Sequence, residues 1–256
     1  MVKAANSGFR LKGSLDAAPS GQPLYRVIKE TLKQRILSGD YAAGAQLPSE
    51  NQLMRIFGVS RVTVRQALQQ LQKERLVVSH QGKGYFVARA KAVQDLARLQ
   101  GLGEAVADSG FSAHSEVLGM TEVAAEPRVA DALALETGAT VTCLHRVRHI
   151  NHQPVSHDIS YFPLDIGRRL AEFDLVNSDV FVLLEEELGF ELGIADLKIE
   201  ANLADESLAR LLETEVGTPV LRIERLTLDE AGRPIDFEYL HGRGDAYQFR
   251  IRVPRW

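Results

Sequence analysis

Arg146 and Arg148 stand two residues apart in this 256-residue chain. In a strand, residues i and i+2 project to the same face, so both guanidiniums share one side of a sheet. Such a pair suits a phosphate or a carboxylate and is costly to bury without an anion. The alternative is that both arginines pair with carboxylates of their own domain at the surface. Asp158 lies on the return strand and shares their face if the turn between is bulged by one residue. Ser156-His157-Asp158 has the letters of a hydrolase triad, but neighbouring strand residues face opposite ways, so no relay can form. His145, His149, His152 and His157 crowd the same hairpin, and His145 and His149 share a face. A zinc site needs three or four converging ligands. With His152 in the turn and Cys143 the single cysteine, no metal and no cofactor is assigned. Gly82-Lys83-Gly84 is too short for a phosphate-cradling loop, and Glu185-Glu186-Glu187 reads as a solvated helix face.

A second constellation lies nearer the N-terminus. Arg61, Thr63 and Arg65 follow Ser60 on the opening turns of a segment whose apolar stripe is Val64, Ala67, Leu68 and Leu71. Arginines there can grip guanine or phosphate, and hydroxyls at a helix start can hold phosphate.

The elements that must position these groups follow from periodicity. Ile28, Leu32 and Ile36 recur at helical spacing from Pro23 onward, and Gly39 stops that helix. Ser49 caps a short helix carrying Leu53, Ile56 and Phe57. Gly58-Val59-Ser60 makes the turn into the helix from Arg61 to Glu74, which gives a helix-turn-helix. Leu76-Val77-Val78 and Tyr85-Phe86-Val87 flank a glycine-rich basic tip, residues 80–84, a wing suited to the adjacent minor groove.

Charge divides the chain in the same place. The formal net charge is −4, but residues 1–91 hold 15 Lys and Arg against 5 Asp and Glu, while the remainder holds 15 against 29. A +10 head and a −14 body imply two domains with different partners, the head attracting a polyanion. A solvated basic face with no partner is the alternative. One cysteine excludes an internal disulfide framework and fits a reducing compartment. No run of 18 apolar residues exists to span a membrane, and the first residues lack the apolar core of a signal peptide.

The acidic body contains an internal repeat. Residues 133–162 parallel residues 211–240: each runs helix end, Gly turn, strand, polar turn with Pro, strand. Gly138 matches Gly217, Arg146 matches Arg225, Pro154 matches Pro234 and Asp158 matches Glu238. Hairpins preceded by helices imply an α+β domain built on an antiparallel sheet.

Residues 23–88 resemble the winged helix-turn-helix of GntR-type bacterial regulators, through Leu47-Pro48-Ser49-Glu50, Val59-Ser60-Arg61-x-Thr63-Val64-Arg65-x-Ala67-Leu68 and Gly82-Lys83-Gly84. The resemblance implies that Ser60, Arg61, Thr63 and Arg65 touch DNA, supported by Gln81, Gly82 and Lys83 of the wing. Asn51 replaces a basic residue found in some members and is a weaker candidate contact. The body resembles the UTRA effector-sensing domain of the HutC-like subfamily, through Gly110-Phe111, Arg146-x-Arg148, the Asn151–Pro154 turn leading to Ser156–Pro163, Glu238-Tyr239 and a final strand 247–253.

That likeness implies a chorismate-lyase-like fold binding a small metabolite. Arg146 and Arg148 would hold its anionic group, assisted by Ser112 beside Phe111 and by Ser178 capping a helix from 179 to 188. Asp158 and Glu238 would receive hydroxyl or amine groups, and Tyr239 or Tyr247 would line the pocket. The expected organisation is an arm at 1–22, a winged helix-turn-helix at 23–88 (mostly α with a β wing), a linker at 89–94 and the α+β effector and dimerisation domain at 95–256. The expected protein is a cytoplasmic bacterial repressor. Its partners are double-stranded DNA at a pseudo-palindromic operator, a small anionic metabolite and a second copy of itself. The competing expectations are an enzyme with lyase-type chemistry tethered to DNA, and an architectural protein with no effector.

Overall fold

The computed structural model describes residues 22–89, 91–107 and 111–255. The expected arm, apart from Gln22, and Gly110 of the Gly-Phe pair lie outside them. The chain divides into two units, Met1–Arg89 and Ala90–Trp256.

In the first unit, helix α1 (Leu24–Leu37) buries the Ile28, Leu32, Ile36 stripe. Helix α2 (Glu50–Phe57) starts with a capping box: the Ser49 hydroxyl accepts from Gln52 N, and the Gln52 side chain accepts from Ser49 N at 2.8 Å. It ends at Gly58, whose φ of 63° is a left-handed conformation that glycine adopts without a Cβ clash. Helix α3 (Arg61–Lys73) is capped by Ser60 and buries Val64, Ala67, Leu68 and Leu71. Glu74, just past α3, accepts from Lys29 at 2.8 Å and Lys33 at 3.0 Å, tying α1 to the end of α3. Strands β1 (Val77–His80) and β2 (Gly84–Val87) pair antiparallel with Val77 opposite Val87. They complete the expected wing, whose tip is steadied by a 2.6 Å hydrogen bond from the Gln46 amide to Lys83 O.

The second unit begins with β3 (Ala92–Asp95) and α4 (Leu102–Val106). It continues through β4 (Ala113–Ala124), α5 (Pro127–Ala132), β5 (Thr140–Ile150), β6 (Gln153–Pro163) and α6 (Leu164–Leu170). Next come α7 (Val180–Val182), which runs into a π turn at Leu183–Glu187, then β7 (Leu192–Leu203) and α8 (Glu206–Leu211). The last elements are β8 (Pro219–Asp229), β9 (Pro234–Arg243) and β10 (Tyr247–Arg250). The six-stranded antiparallel sheet has the order β4-β5-β6-β9-β8-β7, and β3 pairs parallel with β10. The expected linker at 89–94 therefore gives way to a strand from Ala92. Its parallel partner is at the far end of the chain, beyond the reach of local pattern reading.

The repeat appears as two three-stranded halves meeting at the central β6·β9 pair. The match extends beyond the repeated hairpins, because β4 and β7 take equivalent outer places and are 12 residues each. Helix α5 precedes one hairpin and α8 the other, as expected. Helix α6 was not anticipated. It packs so closely on β5 that a Cβ on Gly167 would lie 2.1 Å from Thr142 Oγ1.

The register settles the face of Asp158. Arg148 pairs with Ser156 but His149 with Pro154, so a bulge falls between them and Arg146 stands directly opposite Asp158. Arg225 stands opposite Glu238 in the other half. One sheet face thus carries Arg146, Arg148, Ser156, Asp158, Ser160, Asp236, Glu238 and Arg225. Apolar clusters close its two ends: Leu144, Phe162 and Ile166 with α7 at one, Ile150, Ile223, Leu240 and Tyr247 with α4 at the other.

Candidate DNA-reading surface and effector site

In the first unit, the polar opening of α3 faces outward because its apolar stripe faces α1. The Ser60 hydroxyl accepts from Thr63 N at 3.3 Å and lies 2.9 Å from Thr63 Oγ1. Arg65 Nε donates to Glu50 Oε1 at 2.9 Å. Arg61 Nη2 donates to Asn51 Oδ1 at 2.8 Å, with its Nε 3.8 Å from Glu50 Oε2. Asn51 and Glu50, at the start of α2, thus hold both arginines side by side while more than half of each guanidinium side chain stays in solvent. The hydrogen bond that Arg65 donates to Glu50 stabilises the cation and raises its pKa further. Val62, 75% exposed, projects from the same turn. Helical periodicity leaves it outside the buried stripe, and an apolar residue in that position is its signal in the sequence. Gln81, Gly82 and Lys83 are all exposed at the wing tip.

In the second unit the shared sheet face is a dense charged cluster. Arg146 is 2% exposed, and among the described residues nothing accepts from its Nε or Nη1. Burial lowers its pKa, with Arg148 beside it adding to the effect. Arg148 Nη2 donates to Asp179 Oδ2 at 3.2 Å, and its Nη1 lies 3.8 Å from Asp158 Oδ2. Ser156 Oγ donates to Asp158 Oδ1 at 2.8 Å. Arg225 Nη2 meets Glu238 Oε1 at 2.5 Å.

Asp236, almost fully buried with Oδ1 unpartnered, is lifted well above the usual carboxylate range by burial and by Glu238. Burial raises Glu238 as well, opposed by the Arg225 cation. The Tyr247 hydroxyl is buried among these groups, and burial pushes its pKa up. A cleft of about 230 Å³ opens onto Arg225 between residues 94–100 and 193–197.

The structure rearranges several expected site residues. Tyr239 lies on the opposite face from Glu238, since neighbours in a strand alternate. There its ring meets Phe237 at 5.0 Å and the Arg222 guanidinium at 5.2 Å, so it does not line the charged cluster. Ser178 is not the cap of the 179–188 helix: Asp179 is, its carboxylate accepting from Phe181 N at 3.3 Å. Ser112 is exposed and tied to the hairpin turn, Ser112 N donating to Asn151 Oδ1 at 3.1 Å. On β4 it is Ser115, not Ser112, that is buried and stands opposite Arg148. Phe111 is half-buried and packs on the Tyr247 cluster.

Arg146, Arg148, Asp158, Glu238 and Tyr247 do come together. Asp179, Arg225 and Asp236 are additions. Arg225 was available as the repeat partner of Arg146. Asp236 was equally available as the residue two before Glu238 on one strand face. Asp179 had no sequence signal, because only the tertiary fold brings it to Arg148. His157 faces away from Ser156 and Asp158, toward His145 and His241 at 5.6 and 6.2 Å, as strand alternation required.

A winged helix-turn-helix with an exposed arginine pair, followed by an antiparallel-sheet domain with a buried ionic cluster, is the architecture of a DNA-binding, effector-responsive regulator. Residues 24–87 match the model of bacterial regulatory proteins, gntR family, and residues 108–248 match that of the UTRA domain. The chain belongs to the GntR family of transcription regulators with a UTRA effector-binding domain, in keeping with the HutC-like subfamily.

Its relatives include a probable fructoselysine utilization operon transcriptional repressor of Shigella flexneri, 30% identical over 91% of this chain and 95% of that protein. The transcriptional repressor NagR of Bacillus subtilis is 30% identical over 89% of this chain and 93% of its own length. The crystal structure of PhnF from Mycobacterium smegmatis has a TM-score of 0.64 at 26% identity, covering 90% of this chain and all of that one. The family and these relatives are transcription regulators, not enzymes, which decides against lyase-type chemistry in the body. No helix among the described residues is long and apolar enough to cross a membrane.

Proposed function

We propose that this regulator is a homodimeric cytoplasmic repressor, nucleoid-associated when bound to its operator, and released from it by a small metabolite bearing an anionic group. Ser60, Arg61, Thr63 and Arg65 read or grip the major groove. Val62 adds an apolar surface suited to a thymine methyl, and Gln81, Gly82 and Lys83 reach the flanking groove from the wing. Asn51 positions Arg61. A twofold dimer matches a pseudo-palindromic operator with one α3 per half-site. Its relatives' names as repressors support the direction of control.

The effector site is the ionic face of the sheet, and the carrying observation is Arg146, fully buried with two donor nitrogens that have no acceptor among the described residues. A buried unmet cation is expensive, and an incoming anion relieves it. Asp158, Glu238 and Asp236 then meet hydroxyl or amine groups, with Phe111 and Tyr247 packing behind.

One pair of variants tests both halves. Arg65→Ala should weaken operator binding in fluorescence anisotropy by roughly tenfold or more, the scale of one lost arginine contact. Arg146→Ala should leave operator affinity intact and abolish release by metabolites found to release the wild type. Unchanged operator affinity for Arg65→Ala would overturn the first assignment. Full release of Arg146→Ala would overturn the second.

A further inference from the structure

We propose that Asp179 permanently occupies the anion cradle beside Arg148, so that an effector's anionic group meets Arg146 instead and a doubly charged phosphate is selected against. This rests on the effector-site reading above and narrows the ligand class.

Three donors from separate parts of the chain converge on the Asp179 carboxylate. Arg148 Nη2 donates to Oδ2 at 3.2 Å, Gly103 N donates to Oδ2 at 3.1 Å, and Phe181 N donates to Oδ1 at 3.3 Å. The start of α4 closes tightly around it: a Cβ on Gly101, its N-cap, would lie 2.1 Å from both carboxylate oxygens. A guanidinium and two backbone N–H groups aimed at one carboxylate are the donor set that free anions find in other sites. Here the anion is covalently supplied. Its side chain is more than nine-tenths removed from solvent. Burial pushes its pKa up, but Arg148, the Gly103 N–H and Arg146 outweigh this and hold it below the ordinary value, so the occupant is charged.

With Asp179 in place, Arg148 has its anion, whereas Arg146 keeps two donor nitrogens with no acceptor among the described residues. The guanidiniums of Arg146, Arg148 and Arg225 share this face with the carboxyl groups of Asp158, Asp179, Asp236 and Glu238, and Arg225 is paired with Glu238. A phosphate dianion would bring two negative charges to a buried face where Asp179 already answers Arg148, which is costly. A single carboxylate brings one, which the unmet donors of Arg146 receive, and the cationic end of a zwitterion would face Glu238 and Asp236. The effector class this favours is therefore a hydroxylated or amino-bearing carboxylate.

The test is calorimetric titration of inorganic phosphate into the full-length protein. Wild type should show no saturable binding at millimolar concentrations. Asp179→Ser keeps a capping hydroxyl for the helix but removes the charge and opens the space. It should bind phosphate more tightly than wild type by about tenfold or more, the scale of one charge-assisted hydrogen bond regained. Adding Arg148→Ala should abolish that gain. Asp179→Asn, which keeps the shape and loses only the charge, carries the same comparison if the serine variant does not melt cooperatively.

Phosphate binding by wild type equal to that of the variants, or no gain in either variant, would overturn the proposal. The effector-site reading fails separately. If Asp179→Ser gains phosphate through Arg148 while Arg146→Ala still responds fully to effector, the cradle stands and that reading falls. If Arg146→Ala loses its response but no variant gains phosphate, the reading stands and the cradle falls.

Discussion

Glu50 touches both arginines at the opening of α3, although it carries the charge that DNA repels. Its carboxylate accepts from Arg65 at 2.9 Å and lies 3.8 Å from Arg61. Both arginines are mostly solvated, so the pairing adds little to fold stability. Its consequence lies in binding: a guanidinium held by Glu50 gives up that partner only where a base edge or phosphate offers a better one. Glu50→Ala should therefore raise affinity for non-operator DNA and lower the ratio of operator to non-operator affinity, both measured at one fixed salt concentration. An unchanged ratio would show that Glu50 only shapes the start of α2. At this scale the types of Arg61 and Arg65 were legible in the sequence. Their restraint by Glu50 and Asn51 was not, because it depends on how α2 and α3 are juxtaposed.

At the scale of elements, the two faces of the six-stranded sheet have different chemistry, and alternation along β6 and β9 distributes it. Asp158 and Glu238 go to the ionic face; His157, Tyr239 and His241 go to the other. Burial first, then the neighbouring His145 and His241, depress the His157 pKa to about 4. The unfolded chain titrates this group at about 6.5, so below that pH the unfolded state binds the proton more readily. Stability from a neutral His157 is thus complete above pH 6.5, declines as pH falls, and is lost as pH drops through about 4. The thermal midpoint of the full chain should fall between pH 7 and 5 more steeply in wild type than in His157→Phe. Parallel pH profiles for the two would remove His157 as the cause.

The repeat made the hairpins β5–β6 and β8–β9 readable, since Gly, Arg, Pro and acidic positions recur in order. The outer strands β4 and β7 carry no such shared landmarks. Strand β3 pairs with a segment at the opposite end of the chain, and no local pattern records that partnership.

For the whole molecule, the +10 head and −14 body separate two tasks: attraction to phosphate, and binding of a metabolite by a domain that DNA repels. Effector control then has a thermodynamic signature. If the effector lowers operator affinity by some factor, operator DNA must lower effector affinity by the same factor. Titrating a releasing metabolite into free protein and into the protein–operator complex should return equal coupling factors. Equal effector affinity in both, alongside real release from DNA, would mean that release proceeds by some route other than this linkage. Light scattering should give a dimer mass for the unliganded protein, and a monomer that binds operator tightly would contradict the twofold reading.

The amino-acid sequence by itself determined what short-range physics controls: the capped helices of the head, the turn at Gly58-Val59-Ser60, the glycine-bearing wing, the charge division and the repeated hairpins. Each depends on residues within about one turn or one hairpin of each other, where spacing translates directly into geometry. The tertiary structure decided which charges meet. Asp179 reaches Arg148, and Arg225 joins Arg146 and Arg148 on one buried face, because sheet register and the packing of a distant helix bring them there. Arg146 and Arg148 suggested an anion from the sequence. Only the fold shows that for Arg148 the anion is already part of the chain.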